Sequence, residues 1–178
     1  VGEVTRTLEE LKLADNTIVI LAADNGGMLN LGGQEAWKAG HRLNGDLFGF
    51  KFDSWEGGHR IPFIVRWPGK AKPGTVSKQL ISLIDLSATF AALTGAKLKP
   101  GDFPDSINSL SVLDGTAAAP ARTQLILCPN SKAHTALRDG KWLYIGAQGG
   151  GGFVGVKPGE THLGGAAATR FTGEKNSD

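Results

Sequence analysis

Cysteine is nearly absent from this chain. Cys128 is the only one in 178 residues, which excludes an internal disulfide framework and any zinc site built from several thiolates. It leaves the redox compartment open. No apolar run approaches the ~18 residues of a membrane-spanning helix. Charge of one sign is also lacking: 19 Lys and Arg face 17 Asp and Glu, for a net charge of +2. The basic residues are scattered among the acids, so a nucleic-acid partner is not expected. An initiator Met and a signal segment are missing too; the chain opens on Val1 and stops in polar residues at Asp178. Both ends are expected to be cut points within a longer protein. What remains, 40% apolar and 20% charged residues, is the composition of a globular domain.

The order of patterns along the chain is that of an α/β fold. Val4, Leu8 and Leu11 recur at helical spacing, which predicts a short amphipathic helix. "TIVILA" (Thr17 to Ala22) and "IPFIVRWPG" (Ile61 to Gly69) predict two buried strands. Between them, the glycine-rich segment from Gly26 to Gly49 has no sustained period and is expected to be a long surface loop. Ser77 to Gly95 predicts an extended start passing into an amphipathic helix that Gly95 closes. "LILC" (Leu125 to Cys128) predicts a third strand, with Cys128 a small core residue. "TALRDGKWLYI" (Thr135 to Ile145) predicts a hairpin about Asp139-Gly140. The resulting division is a main part over residues 1–147 and an irregular glycine-rich tail over 148–178.

Two stretches bear chemistry. The first strand runs into Asp24-Asn25-Gly26-Gly27. A carboxylate and an amide oxygen at the carboxyl end of a strand are hard ligands, suited to calcium or magnesium. Asp, Asn and Gly are also all turn formers, and composition alone favours a plain turn. The second stretch, "GFKFDSWEGGHRIP" (Gly49 to Pro62), carries Lys51 in a glycine-flanked segment. A lysine beside a divalent ion can hold an anionic ester oxygen; a solvated lysine on a loop is the alternative. Glu56 can pair with Arg60 or cap the following turn, and His134 and His162 are expected at the solvated surface.

Taken together and in order, these segments resemble the C-terminal part of the sulfatase (arylsulfatase) catalytic domain. The strand ending in Asp-Asn-Gly-Gly, Lys51 ahead of Trp55-Glu56-Gly57-Gly58, "RIPFIVRWPG" and "SLIDLSAT" (Ser82 to Thr89) carry the likeness. It covers Asp15 to Gly95 well and continues loosely through "LDGT" (Leu113 to Thr116) and "ALRDGKW" (Ala136 to Trp142). The resemblance implies an alkaline phosphatase-like α/β fold, a mixed sheet flanked by helices with a C-terminal β-hairpin region, present here as a partial domain. It implies that Asp24 and Asn25 hold a calcium ion and that Lys51 contacts the sulfate group of an aryl or carbohydrate sulfate ester. His41 and Arg42 become candidates for substrate contact, and His59 is structural.

The same resemblance implies a formylglycine nucleophile, made from cysteine in a C-x-P-S-R context. Cys128 stands in "CPNSK", with Asn130 and Lys132 where that context has Pro and Arg, so the nucleophile is expected in an N-terminal half absent from this chain. Without it, the chain alone is expected to be inactive, to bind calcium weakly, and to expose an apolar edge open to self-association. A phosphodiesterase or phosphonate hydrolase of the same superfamily, and a non-catalytic binding module retaining the fold, are the alternative functions.

Overall fold

A computed structural model describes residues 1–29 and 32–152. The expected tail beyond Gly152, His162 included, lies outside the described residues. The architecture is mixed α/β, the class expected from the sequence. Two compact units make up the chain, one of Val1–Leu21 and Phe63–Leu125, the other of Ala22–Pro62 and the chain from Ile126. Among the described residues no helix is long and apolar enough to cross a membrane.

In the first unit, helix α1 (Gly2–Glu10) forms where the apolar spacing predicts it. The helix ends where Leu13 N–H bonds Leu8 O at 2.8 Å and Lys12 turns to φ +57°. Its apolar stripe is only partly covered, however: Leu8 is half-buried, no residue of α1 is fully buried, and Val4 is 57% exposed. Strands β1 (Val19–Ala22) and β2 (Phe63–Arg66) pair in a two-stranded sheet. Neither contains a buried residue, which corrects the expectation of two buried strands. Continuous apolar runs suit a strand covered on both faces, and two strands cannot cover each other's faces; Ile64 is accordingly 58% exposed.

Helix α4 (Asp85–Thr94) is closed as expected. Gly95 adopts φ +71°, its N–H bonds Ala92 O, and Ala96 N–H bonds Ala91 O, the paired bonds of a Schellman ending. The start of α4 explains "SLIDLSAT". Asp85 Oδ2 accepts from Ser82 N–H at 2.9 Å, the carboxylate half of a capping box. Thr89 Oγ1 bonds Asp85 O and accepts from Ser109 N–H at 2.9 Å, which ties α4 to the start of α5 (Leu110–Asp114).

The second unit departs from the expected irregular loop. The glycine-rich segment holds a helix, α2 (Gly33–Lys38), and its own small core, and a one-turn helix, α3 (Glu56–His59), follows. Leu29 and Phe50 are 1% and 2% exposed and pack with Trp37 and Leu43. Trp37 meets Phe50 edge-on, with ring centroids 5.6 Å apart. These apolar residues are too widely spaced in sequence to show a period, so the pattern does not display the core they build.

Strand β3 (Gln124–Leu127) begins at the boundary between the units and joins β4 (Ala136–Asp139) and β5 (Trp142–Ile145) in the order β3-β4-β5. The expected hairpin is present: β4 and β5 are antiparallel, with Asp139 opposite Trp142. Gly140 supplies the positive φ (+53°) at the first turn position, as in a type II′ turn.

Two side chains differ from expectation. Cys128 is exposed, not a core residue; Leu127 takes the buried position and its neighbour falls outside it. His134 is no free surface group, because Nδ1 contacts Ser131 Oγ at 2.9 Å and Nε2 contacts Gln148 O at 3.0 Å. The glycine run after Gln148 is docked as far as it is described. Ser54 N–H bonds Gly150 O at 2.7 Å, and a Cβ at Gly150 would stand 2.7 Å from the Trp55 ring.

Candidate functional site

The site lies within the second unit, where the chain leaves β1. Ala23 N–H bonds Pro62 O at 3.4 Å and Gly26 N–H bonds Gly58 O at 3.0 Å. Asp24 and Asn25 therefore sit between two backbone anchors. Were this segment a plain turn, the amides after the pair would close back on it. Instead Gly26 N–H goes to Gly58, and Gly27 N–H goes to Asn44 Oδ1 at 2.6 Å. The turn expected from composition alone is thus replaced by a bend held from outside. Among the described residues, no hydrogen bond or ion pair engages the side chains of Asp24 and Asn25, and both line a cavity of about 560 Å³. Asn44 and Arg60 add polar groups to its wall, and Leu43, Leu47 and Ile61 add apolar ones.

Gly26-Gly27 and Gly57-Gly58 serve one contact. Gly26 lies against the backbone of Gly57 and Gly58, and a Cβ there would run into the Gly57 carbonyl. Gly57 in turn donates to Phe48 O at 2.7 Å, and a Cβ on it would stand 2.8 Å from that same oxygen. Backbone obstacles cannot rotate away as a side chain can. Gly57→Ala is therefore expected to cost about 1–3 kcal/mol, toward the upper end, read as a lower midpoint in thermal denaturation. An unchanged midpoint would show that this approach has slack.

Lys51 is placed by a tight turn. Asp53 N–H bonds Phe50 O at 3.0 Å, while Asp53 Oδ2 accepts from Phe50 N–H at 2.8 Å. Lys51 and Phe52 are the central residues, and Phe52 takes φ +83°, the type II value that favours glycine. A non-glycine residue stays there only when its surroundings over-determine it; here Asn130 N–H also holds Phe52 O, at 3.2 Å. Lys51 N–H bonds Gly27 O at 2.8 Å, which joins this turn to the Asp24-Asn25 segment. The ammonium lies 5.1 Å from the Phe52 ring centroid.

Lys51 itself does not line the cavity, and its link to the Asp24-Asn25 segment is the backbone bond to Gly27 O. His41 is exposed and also does not line the cavity. Arg42 stacks on Trp37, 4.0 Å from the ring centroid. Glu56 does pair with Arg60, at 3.3 Å, but it also meets His59 at 3.7 Å and the guanidinium of Arg138 on β4. Burial pushes the His59 imidazole below its ordinary 6.5, the Trp55 backbone opposing and Arg60 adding to the fall. His59 is half-buried beside Glu56 and does not line the cavity. Asn44 and Arg138 are the residues that sequence reasoning missed. Arg138 lies some eighty positions from Glu56, beyond any local spacing rule.

A carboxylate and an amide oxygen on residues that line a cavity, unpartnered among the described residues, form a hard donor set that fits calcium or magnesium in kind. They do not complete a shell: no cluster of three or more His, Cys, Asp or Glu that could hold a metal occurs among the described residues. Cys128 does not fit a formylglycine nucleophile, since the motif around it is wrong and nothing places it beside the cavity.

Comparisons with known proteins bear on this arrangement. A family profile described as Sulfatase matches residues 1–96. Over 150 residues the chain is 39% identical to an N-acetylgalactosamine-6-O-sulfatase of Bacteroides thetaiotaomicron, covering 82% of this chain and 28% of that protein. It is 42% identical over 105 residues to the steryl-sulfatase of Mus musculus, covering 57% and 16%. A solved structure from work on glycosaminoglycan metabolism by Bacteroides thetaiotaomicron aligns with a TM-score of 0.74 at 37% identity, over 81% of this chain and 30% of the other. The chain thus spans less than a third of the length of each of these relatives.

Proposed function

The chain belongs to the sulfatase family, and from that membership we propose that it forms part of an enzyme hydrolysing aryl or carbohydrate sulfate esters. In this reading Asp24 and Asn25 hold a divalent ion, calcium by preference, and Lys51 contacts the sulfate group. The observation that carries it is the division of labour in the Asp24–Gly27 segment. The scaffold consumes the amides of Gly26 and Gly27, while the side chains of Asp24 and Asn25, which line the cavity, have no partner among the described residues.

When bound, the ion supplies positive charge to the sulfuryl oxygens. Asp24 contributes the charged ligand and Asn25 the neutral one. Lys51 brings a point charge with three donors to the ester oxygens, held in place by the Phe50–Asp53 turn so that little reorganisation is needed as charge develops. The formylglycine nucleophile belongs, in this reading, to sequence outside the chain. Calcium takes six to eight oxygens, and this pair supplies two.

The chain by itself is therefore expected to bind calcium weakly and to leave an aryl sulfate intact. Calcium titrated into 15N-labelled protein should shift the amide signals of Asp24 and Asn25 with low affinity, and Asp24→Ala should abolish the response. Shifts that persist in the Asp24→Ala variant would refute the assignment of the pair. Calcium-dependent release of the phenol by the purified chain would refute its inactivity.

A further inference from the structure

We infer that Asn44 is a positioning residue that fixes the distance between the Asp24-Asn25 pair and the Lys51 turn. This deepens the proposed function and rests on that reading. Asn44 is half-buried, lines the same cavity, and stands on neither of the two recognisable motifs. Its amide is used at both ends: Oδ1 accepts from Gly27 N–H at 2.6 Å, and Nδ2 donates to Gly49 O at 2.8 Å. Gly27 follows the proposed ligand pair directly, and Gly49 lies two residues before Lys51. Lys51 N–H closes the ring by donating to Gly27 O at 2.8 Å. One short side chain thus bridges the two segments that bear the proposed chemistry.

The residue type follows from the bonds. The position needs an acceptor and a donor at once, on a stem one carbon long. Asp has no N–H to give Gly49, a hydroxyl is too short to span both groups, and Gln is a methylene longer. The approach is also close. A Cβ on Gly27 would stand 2.8 Å from Leu43 Cβ and 2.9 Å from Asn44 Oδ1, so the glycine and the asparagine require each other. Without the bridge, Gly27 keeps a half-buried N–H with no acceptor and its carbonyl is free to drift from Lys51.

The test uses the same chain, 15N-labelled and titrated with calcium chloride, with amide hydrogen exchange measured alongside. In the unaltered protein the Lys51 amide should shift together with those of Asp24 and Asn25, although Lys51 carries no proposed ligand. In Asn44→Ala the Asp24 and Asn25 shifts should remain, while the Lys51 shift is lost. Exchange at Gly27 and Lys51 should also accelerate about tenfold. The amides of the β4–β5 hairpin, in the same unit, serve as the folding control. Asn44→Asp keeps the acceptor and loses the donor, so Gly27 should stay protected while Lys51 again loses its calcium response. That variant also carries the test if Asn44→Ala does not fold.

A Lys51 response undiminished in Asn44→Ala, or absent from the unaltered protein while Asp24 and Asn25 respond, overturns the role of Asn44. Silence at Asp24 and Asn25 in the unaltered protein refutes the metal reading instead. Exchange at Lys51 that stays unchanged in Asn44→Ala then still overturns the bridge.

Discussion

Replacing Arg122 by Met should remove about 3–5 kcal/mol of stability, because it strands a buried carboxylate. Asp85 is 0% and Arg122 8% exposed. The guanidinium grips the carboxylate with two bonds, Nε to Oδ2 at 2.9 Å and Nη2 to Oδ1 at 2.5 Å. Ser82 N–H and Ile107 N–H complete the shell of Asp85, and Arg122 also donates to Asp105 O at 2.7 Å. One ion pair therefore fastens the start of α4, the segment after it and the approach to β3.

The sign of the pH dependence follows from the same contacts. Burial pushes the Asp85 carboxyl up, but the Arg122 hydrogen bonds, the two backbone N–H groups and the Arg122 charge outweigh it. The folded-state value lies below the ordinary 3.8. The contribution of Asp85 is thus complete above 3.8 and disappears as the pH falls through the folded value. In Arg122→Met burial acts without the guanidinium, so the folded carboxyl titrates higher and the deficit narrows in acid. Urea denaturation at neutral pH and near pH 3 measures both effects. Equal midpoints at neutral pH would mean that the pair contributes nothing beyond an apolar filling.

How far the sequence reached depends on the range of each interaction. Helix α4 and the β4–β5 hairpin are set by local chemistry, a Gly ending and a turn led by Gly140, and both stand where expected. Asp85 falls within "SLIDLSAT", yet its partner Arg122 lies 37 positions on, and no spacing rule joins them. The strands β1 and β2 were found, but their exposure was not, because apolar content says what a strand can bury and not whether a neighbour covers it. Leu21, Ile64, Val4 and Leu11 are between 41% and 61% exposed, an apolar surface of the kind that invites association.

The site shows the same division. Asp24, Asn25 and Lys51 carry chemistry in their residue types and could be singled out. Asn44 has an ordinary loop composition and acquires meaning only when Gly27 and Gly49 arrive on either side of it. The motif glycines lack the Cβ that would bar a close approach. What they approach is each other's segment, a tertiary fact with no trace in either stretch alone.

On the proposed reading, the largest effect on activity belongs to Lys51. In a whole sulfatase carrying this chain, Lys51→Ala should lower kcat/KM by about 10²–10³-fold, the range found when one preorganised donor is removed. Stability should barely change. Beyond its backbone, and among the described residues, Lys51 has the contact with the Phe52 ring, worth about 0.5–1 kcal/mol at an accessible site, and alanine retains the N–H that bonds Gly27 O. The loss should fall mainly on kcat, since the ammonium is proposed to meet charge that grows toward the transition state. Arginine should recover only part of the activity. Its planar fork is longer and spreads its charge, whereas the Phe50–Asp53 turn presents a point charge at one place. An Ala variant with unchanged kcat and a raised KM would make Lys51 a group that holds substrate and transition state alike. One with both constants unchanged would remove Lys51 from the site, leaving the strained Phe52 turn without a functional reason.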